Sequence, residues 1–253
     1  MSLLRAFKLK LKKIDGRNIH GRICVFHRGG GLKRLYRAID IHRRLNCFGT
    51  VQAIRKTSYH TALIGRVVYE NGLVANSILT EEVSLGDMIF SGAFLTKEIV
   101  GKVPKGSTIP LYNITLFNLV SNIESYEYSG AKLLRAAGTA ALYIERSAFK
   151  STLKLPSGWL ITIDNNCLAS LGRTSNSQHK YLIIKKAGDK RKMGWRPTVR
   201  GVVKNPCDHP HGGGEGKGSP PAAAVSPWGR LTKGTPTKKK IKDILKRRTF
   251  RNV

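Results

Sequence analysis

A chain of 253 residues with 41% hydrophobic content is long enough for one large or two small cores, which excludes a wholly disordered tail. Its 45 Lys and Arg against 15 Asp and Glu leave a formal charge of +30, a balance that self-repels unless a polyanion neutralises it, so nucleic acid is the first partner to consider. Cys24, Cys47, Cys167 and Cys207 form no C-x-x-C pair, which disfavours a disulfide framework or zinc ribbon, and no apolar run reaches the roughly 20 residues of a membrane span.

The charge is unevenly placed. Residues 1–60 carry +13, residues 61–179 carry +1 and residues 180–253 carry +16. A nearly neutral body between two basic ends predicts a folded middle whose arms make the polyanion contacts.

The start, MSLLRAFKLKLKK, lacks the uninterrupted apolar stretch of a secretory signal and has the make-up of a basic amphipathic segment, expected to stay uncleaved. Residues 16–44 follow, with eight cations: Arg17, Arg22, Arg28, Lys33, Arg34, Arg37, Arg43 and Arg44. They alternate with Gly29, Gly30 and Gly31 and with the rings of His20, His27, Tyr36 and His42. Guanidinium forks beside stacking rings and a glycine run that lets backbone approach closely make an RNA-binding constellation. Within it, RICVFHR (22–28) reads as a strand.

Short alternating or apolar runs separated by turn residues then predict a mostly β body. Residues 61–79 read as two strands joined at Glu70-Asn71-Gly72, where Asn-Gly tolerates the positive φ of a tight turn. Residues 136–146 supply another strand, and residues 151–163 repeat the hairpin device with Pro156-Ser157-Gly158. A break is expected around 101–110, where Gly, Pro and Lys cluster, and it implies two barrels. After about residue 185 apolar periodicity fades into Gly, Pro, Lys and Arg, a composition that cannot bury enough surface to fold alone. The last stretch, 238–248, places Ile241, Ile244 and Leu245 on one face of a basic helix.

Residues 207–218, CDHPHGGGEGKG, invite two sharper readings. As a metal site, Cys207, His209 and His211 would need to converge with a fourth ligand, but Pro210 and the alternating spacing tend to spread them to different sides of an extended chain. As a phosphate loop of the form G-x-x-x-x-G-K-[ST], the stretch has His211 at the first glycine position and Gly218 where a hydroxyl is required. No metal is expected. A glycine-rich thread carrying imidazoles and cations suits close insertion among RNA phosphates, with the imidazoles bonding phosphate, 2′-OH or base edges.

The compound motifs GR-N…GRI…HRGGG-KR-YR-ID near the start and RPTVRG…NP-DHPHGGGEG…PWG…TKG near the end resemble the universal large-subunit ribosomal protein family "L two", bacterial in type. With AAGTAALYI between them the resemblance covers about 16–240. It implies a short basic segment over 1–15, an OB-type RNA-binding barrel over 16–103, an SH3-like barrel over 104–185 and an extended basic arm over 186–253 that penetrates rRNA. It also implies partners: large-subunit rRNA, neighbouring ribosomal proteins and the small subunit across the interface, with roles in subunit association, tRNA binding and support of the peptidyl-transferase region.

In such a family the catalyst of peptide-bond formation is RNA, so no enzyme, small-molecule substrate or membrane partner is expected, and no cofactor beyond rRNA-associated magnesium. The resemblance singles out His211, before the triple glycine, as the functionally critical histidine. It adds Arg196, Arg200, His209, Gly212, Gly213, Gly214, Lys217, Trp228, Arg230, Lys233, Lys238, Lys239 and Lys240 to the RNA-binding residues of 16–44.

The chain departs from the family pattern in its short stretch ahead of residue 16, in Leu32 where His is usual, and in the apolar SPPAAAV (219–225), which would face a neighbouring protein. Drift of this kind in a bacterial-type sequence points to an organelle. The mitochondrion is the first expectation, with chloroplast or bacterial cytoplasm as alternatives.

Overall fold

The computed structural model describes residues 8–10, 12–94, 103–216, 223–234 and 244–246. These fall into two compact units, one made of Met1–Leu11, Arg34–Ile183 and Lys242–Val253, the other of Lys12–Lys33 and Ile184–Ile241.

The first unit is almost entirely β. A small ribbon pairs β1 (Lys8–Lys10) with β2 (Leu35–Arg37), and a second pairs β9 (Ile123–Glu124) with β10 (Ala131–Leu133). The main sheet holds β3 (Cys47–Arg55), β4 (Ile64–Tyr69), β5 (Val74–Ile78), β6 (Met88–Ser91), β7 (Thr108–Pro110), β8 (Leu119–Ser121), β11 (Ala141–Arg146), β12 (Lys150–Lys154), β13 (Leu160–Asp164), β14 (Leu168–Leu171) and β15 (Ile244–Lys246). Their order across it is β15-β13-β12-β11-β8-β14-β7-β6-β3-β4-β5. Every pairing is antiparallel except β6 with β7, which meet at one parallel register, Ser91 beside Thr108.

That junction divides two apolar clusters, as barrel-type domains require. Val51, Val67, Tyr69, Leu79, Val83 and Ile89 pack on the β3–β6 side, and Phe90 with Leu111, Val120, Ile123, Tyr143, Leu153 and Ile163 fills the β7–β14 side. Neighbouring residues of β6, Ile89 and Phe90, point to opposite faces and so serve one core each, as strand alternation dictates.

Both hairpin expectations hold. Gly72 (φ +78°) turns β4 into β5, with Tyr69 N–H donating to Leu73 O at 2.9 Å and the Asn71 side chain accepting from Leu73 N–H. Gly158 (φ +84°) turns β12 into β13, with Leu155 N–H donating to Trp159 O at 2.9 Å.

Two expectations are corrected. Residues 22–28 form no strand; they make only isolated bridges, Arg17 with Ile23 and Arg28 with Trp195. Gly16 O accepts from both Cys24 and Val25 N–H, which curls the segment instead of leaving it extended beside a neighbour. The basic terminal helix is replaced at Ile244–Lys246 by β15, which pairs with β13. An open sheet edge offers a row of unpaired backbone groups, whereas a short isolated helix is marginal in water. The rest of 238–248 lies outside the described residues, as do residues 95–102 at the expected domain break.

Among its described residues the second unit shows no apolar core, and only His209 is buried. It is nevertheless folded on itself, through backbone hydrogen bonds and one short helix, α1 (Ala187–Lys192), whose first turn carries Asp189 and whose last turn carries Lys190, Arg191 and Lys192, complementing the helix dipole. Composition correctly excludes a core, but it does not show that residues 12–33 and 184–234 supply each other's backbone partners.

Candidate nucleic-acid interface

The second unit holds most of the expected RNA-binding residues. Its centre is a clasp between two stretches far apart in sequence. Gly29 N–H donates to Gly194 O at 3.0 Å, Leu32 N–H to Lys192 O at 2.9 Å, and Arg196 N–H to His27 O at 2.8 Å. Lys13 Nζ caps the triple glycine from the other side, 3.2 Å from Gly30 O and 2.6 Å from Gly31 O. Gly31, at φ +77°, lies so close to the backbone at 192–194 that a Cβ there would sit 2.6 Å from Gly194 N. Here glycine is required by contact within the protein.

Trp195 anchors the clasp. His27 stacks on its ring with centroids 5.7 Å apart and planes 11° from parallel, and the Arg28 guanidinium lies 3.4 Å from its centroid. Trp195 was not among the residues expected to bind RNA, although it stands between Gly194 and Arg196 in a quoted motif. A Trp in a basic, coreless stretch is the signal that could have marked it. Phe26, under Lys204 Nζ at 4.6 Å, was missed for the same reason.

Around this clasp Arg17, Arg22, Arg28, Lys33, Arg196 and Arg200 are exposed. Asn18 presents the first pair: its Oδ1 accepts from His20 N–H (3.0 Å) and Arg22 N–H (2.9 Å), fixing the turn between the two arginines. Exposed cations on a backbone held by hydrogen bonds can meet phosphates without first being ordered.

The imidazole loop is a second built feature. His209 is buried against Gly201, where a Cβ would meet its ring at 2.5 Å. Its Nδ1 accepts from His211 N–H at 3.0 Å. Burial, together with the neighbouring His211 and Lys204, holds His209 below the ordinary histidine pKa, which keeps Nδ1 free to accept.

His211 Nε2 lies 3.1 Å from Ala223 O and 3.4 Å from Val225 N, so either tautomer finds a backbone partner: Nε2–H donates to Ala223, and the bare nitrogen accepts from Val225. Gly212 passes so close to 204–205 that a Cβ would lie 2.3 Å from Asn205 O, whereas Gly213 and Gly214 are exposed. Beyond it, Val225 bridges Leu231 across a turn that carries Trp228, 63% exposed, with Arg230 and Lys233 also exposed. Among the described residues no three His, Cys, Asp or Glu side chains gather as metal ligands. Lys217, Lys238, Lys239 and Lys240 lie outside the described residues.

The remaining expected residues belong to the first unit and divide sharply. Tyr36 meets Tyr59 edge-on (5.5 Å) and His60 (5.8 Å), with the Arg34 and Arg37 guanidiniums bonded to Ser58 O and Lys56 O. That aromatic and cationic group is partly exposed.

Arg43 is corrected, and Arg44 is held by a carboxylate. Arg43 is 3% exposed and donates to Thr108 Oγ1, Ser170 Oγ and Asn122 O, so it ties strands together inside the fold and cannot reach a phosphate. Burial pulls its pKa down to about 10, still charged at neutral pH. Arg44 pairs at 2.9 Å with the fully buried Glu124. A chain reading counts cations; it does not see which of them a buried carboxylate or hydroxyl claims.

Fold and site together define a class: a basic, mostly β protein with a cation-bearing second unit suited to RNA. Two family descriptions match the chain, "Ribosomal Proteins L2, RNA binding N-terminal domain" over residues 5–91 and "Ribosomal Proteins L2, C-terminal domain" over residues 104–229. The large ribosomal subunit protein uL2 of Hyphomonas neptunium is 39% identical over 249 residues, covering 97% of this chain and 88% of that one. The uL2 of Rickettsia typhi is 37% identical (93% of this chain, 85% of that one), and the uL2c of Helicosporidium is 40% identical (94% and 83%). The chain belongs to the ribosomal protein L2 family.

Proposed function

We propose that this chain is a structural constituent of the large ribosomal subunit that binds large-subunit rRNA, chiefly through the clasp and imidazole loop of its second unit. The observation that carries the reading is the clasp itself: Arg28 stacked on Trp195, Lys13 on the glycine carbonyls, and a surrounding set of exposed guanidiniums on hydrogen-bonded backbone. The two apolar clusters of the first unit are read as an OB-type and an SH3-like barrel.

In this reading the protein is no catalyst. It supports subunit association, tRNA binding and the peptidyl-transferase region, where RNA performs the chemistry, and it meets neighbouring ribosomal proteins and the small subunit. His211 works by fixing the loop before Gly212, because its ring nitrogen is occupied by backbone in either tautomer. A bacterial-type sequence related to both bacterial and organellar proteins fits a ribosome in a mitochondrion.

Sedimentation of tagged protein from fractionated organelles tests function and place together. Co-migration with the large subunit in the mitochondrial fraction is the expected result, and protein that stays at the top of the gradient overturns the ribosomal assignment.

A further inference from the structure

The turn between β9 and β10, Ser125-Tyr126-Glu127-Tyr128-Ser129, carries two aromatic rings that neither core uses. Tyr126 is 59% exposed and Tyr128 65%. Each ring already has a cation against it: Lys132 Nζ lies 4.6 Å from the Tyr126 centroid and 3.2 Å from its hydroxyl, and the Arg44 guanidinium lies 3.9 Å from the Tyr128 centroid.

The turn is held from below. Ser129 Oγ accepts from Ser125 N–H (3.2 Å) and Tyr126 N–H (3.4 Å), and Ser129 N–H donates to Tyr126 O. Glu124, fully buried, accepts from Gly130 N–H and Leu168 N–H as well as from Arg44, so the arginine under Tyr128 is itself fixed. Tyr128 holds φ +62°, a left-handed backbone that is strained for a bulky residue and persists only when its surroundings dictate it. Two tyrosines are thus presented outward on a rigid, strained turn at the cost of exposing their rings.

We propose that Tyr126 and Tyr128 form a stacking platform for unpaired RNA bases, a second RNA contact on the first unit; this rests on the rRNA-binding reading above. A cation on one face of an aromatic ring draws on its electron density, which weakens the pull of the other face on a second cation and leaves a neutral nucleobase the better occupant. Lys132 is exposed beside the platform to meet the adjoining phosphate. Glu127, exposed between the rings, repels phosphate directly over the turn, so the platform takes a base with its backbone displaced toward Lys132. Stacking of this kind is tolerant of sequence, because every base has a π face.

The test uses the full chain with two probes, a short single-stranded oligoadenylate and an RNA duplex with the same number of phosphates. Binding is measured at raised salt, where phosphate contacts weaken while stacking persists. The variants are Tyr126→Ala with Tyr128→Gly, chosen because glycine takes φ +62° without strain, and Tyr126→Phe with Tyr128→Phe.

The proposal expects single-strand affinity to fall about fivefold or more for each ring removed, duplex binding to be unchanged, and the phenylalanine pair to bind like wild type. Equal single-strand affinity in wild type and the ring-deleted variant overturns it, and so does an equal loss for both probes, which would mark a structural effect. Ring-dependent capture of an arginine-rich peptide with no effect on oligoadenylate would make the occupant a protein and overturn it as well. Wild-type protein that binds neither RNA even at low salt would instead sink the rRNA-binding reading on which the platform stands.

Discussion

The Arg28 guanidinium sits 3.4 Å from the centroid of the Trp195 ring, and the backbones of the same two residues form a β-bridge. The two residues stand far apart in the chain, and together they close the second unit in place of an apolar core. A cation stacked on Trp is worth about 0.5–1 kcal/mol at an exposed site and about 2 or more when desolvated. Replacing Trp195 with Ala should therefore open the clasp and weaken rRNA binding several-fold. The Arg28→Ala variant should also weaken binding modestly and lower the slope of log affinity against log salt by about one phosphate contact. Filter binding of rRNA fragments across a salt series reads both. An unchanged slope for Arg28→Ala would mean its charge faces only the indole.

The glycines of the first triplet are unequal. Gly31 at φ +77° abuts Gly194, whereas Gly30 at φ +67° has nothing near its missing Cβ. Gly31→Ala must displace backbone. Gly30→Ala meets only the left-handed penalty of about 1–2 kcal/mol. Limited proteolysis between residues 12 and 33 should therefore rise more for Gly31→Ala than for Gly30→Ala, and the reverse order would contradict the clasp.

His209 gives a pH dependence of definite sign. Its folded pKa lies below the ordinary 6.5, through burial and the nearby His211 and Lys204. The loop's stability contribution from this ring is therefore full above 6.5 and is lost as pH falls through 6.5 toward the lower folded value, because protonation removes the acceptor for His211 N–H. NMR titration of the His209 ring should give a midpoint below 6.5, and a midpoint above it would refute the environment described.

For His211→Ala the expectation is subunits that assemble and translate poorly, since the change frees Ala223 and Val225 from their shared partner without touching the clasp. Reconstituted particles with undiminished translation would remove any functional role for this histidine.

Glu124→Ala is expected to destabilise the first unit by about 3–5 kcal/mol, the usual cost of orphaning one member of a buried pair. Arg44, Gly130 N–H and Leu168 N–H all lose their acceptor at once. Urea unfolding of the RNA-free protein reads this as a lowered midpoint, and a change under 1 kcal/mol would mean water replaces the carboxylate.

The sequence by itself determined the charge pattern, the β hairpins at Gly72 and Gly158 and the family, because these depend on local turn chemistry, composition and long motifs. Tertiary structure alone decided which cations stay exposed. Arg28 and Arg196 face outward, whereas Arg43 and Arg44, equally basic and within the same motif-rich stretch, are claimed by Ser170, Thr108 and Glu124, which follow them by dozens of residues. Pairing of 27–32 with 192–196, and of β15 with β13, also had no local signal, since a backbone hydrogen bond carries no imprint of side-chain type. The platform of Tyr126 and Tyr128 belongs with these: nothing in Ser-Tyr-Glu-Tyr-Ser announces that a buried carboxylate and a left-handed tyrosine will hold both rings toward solvent.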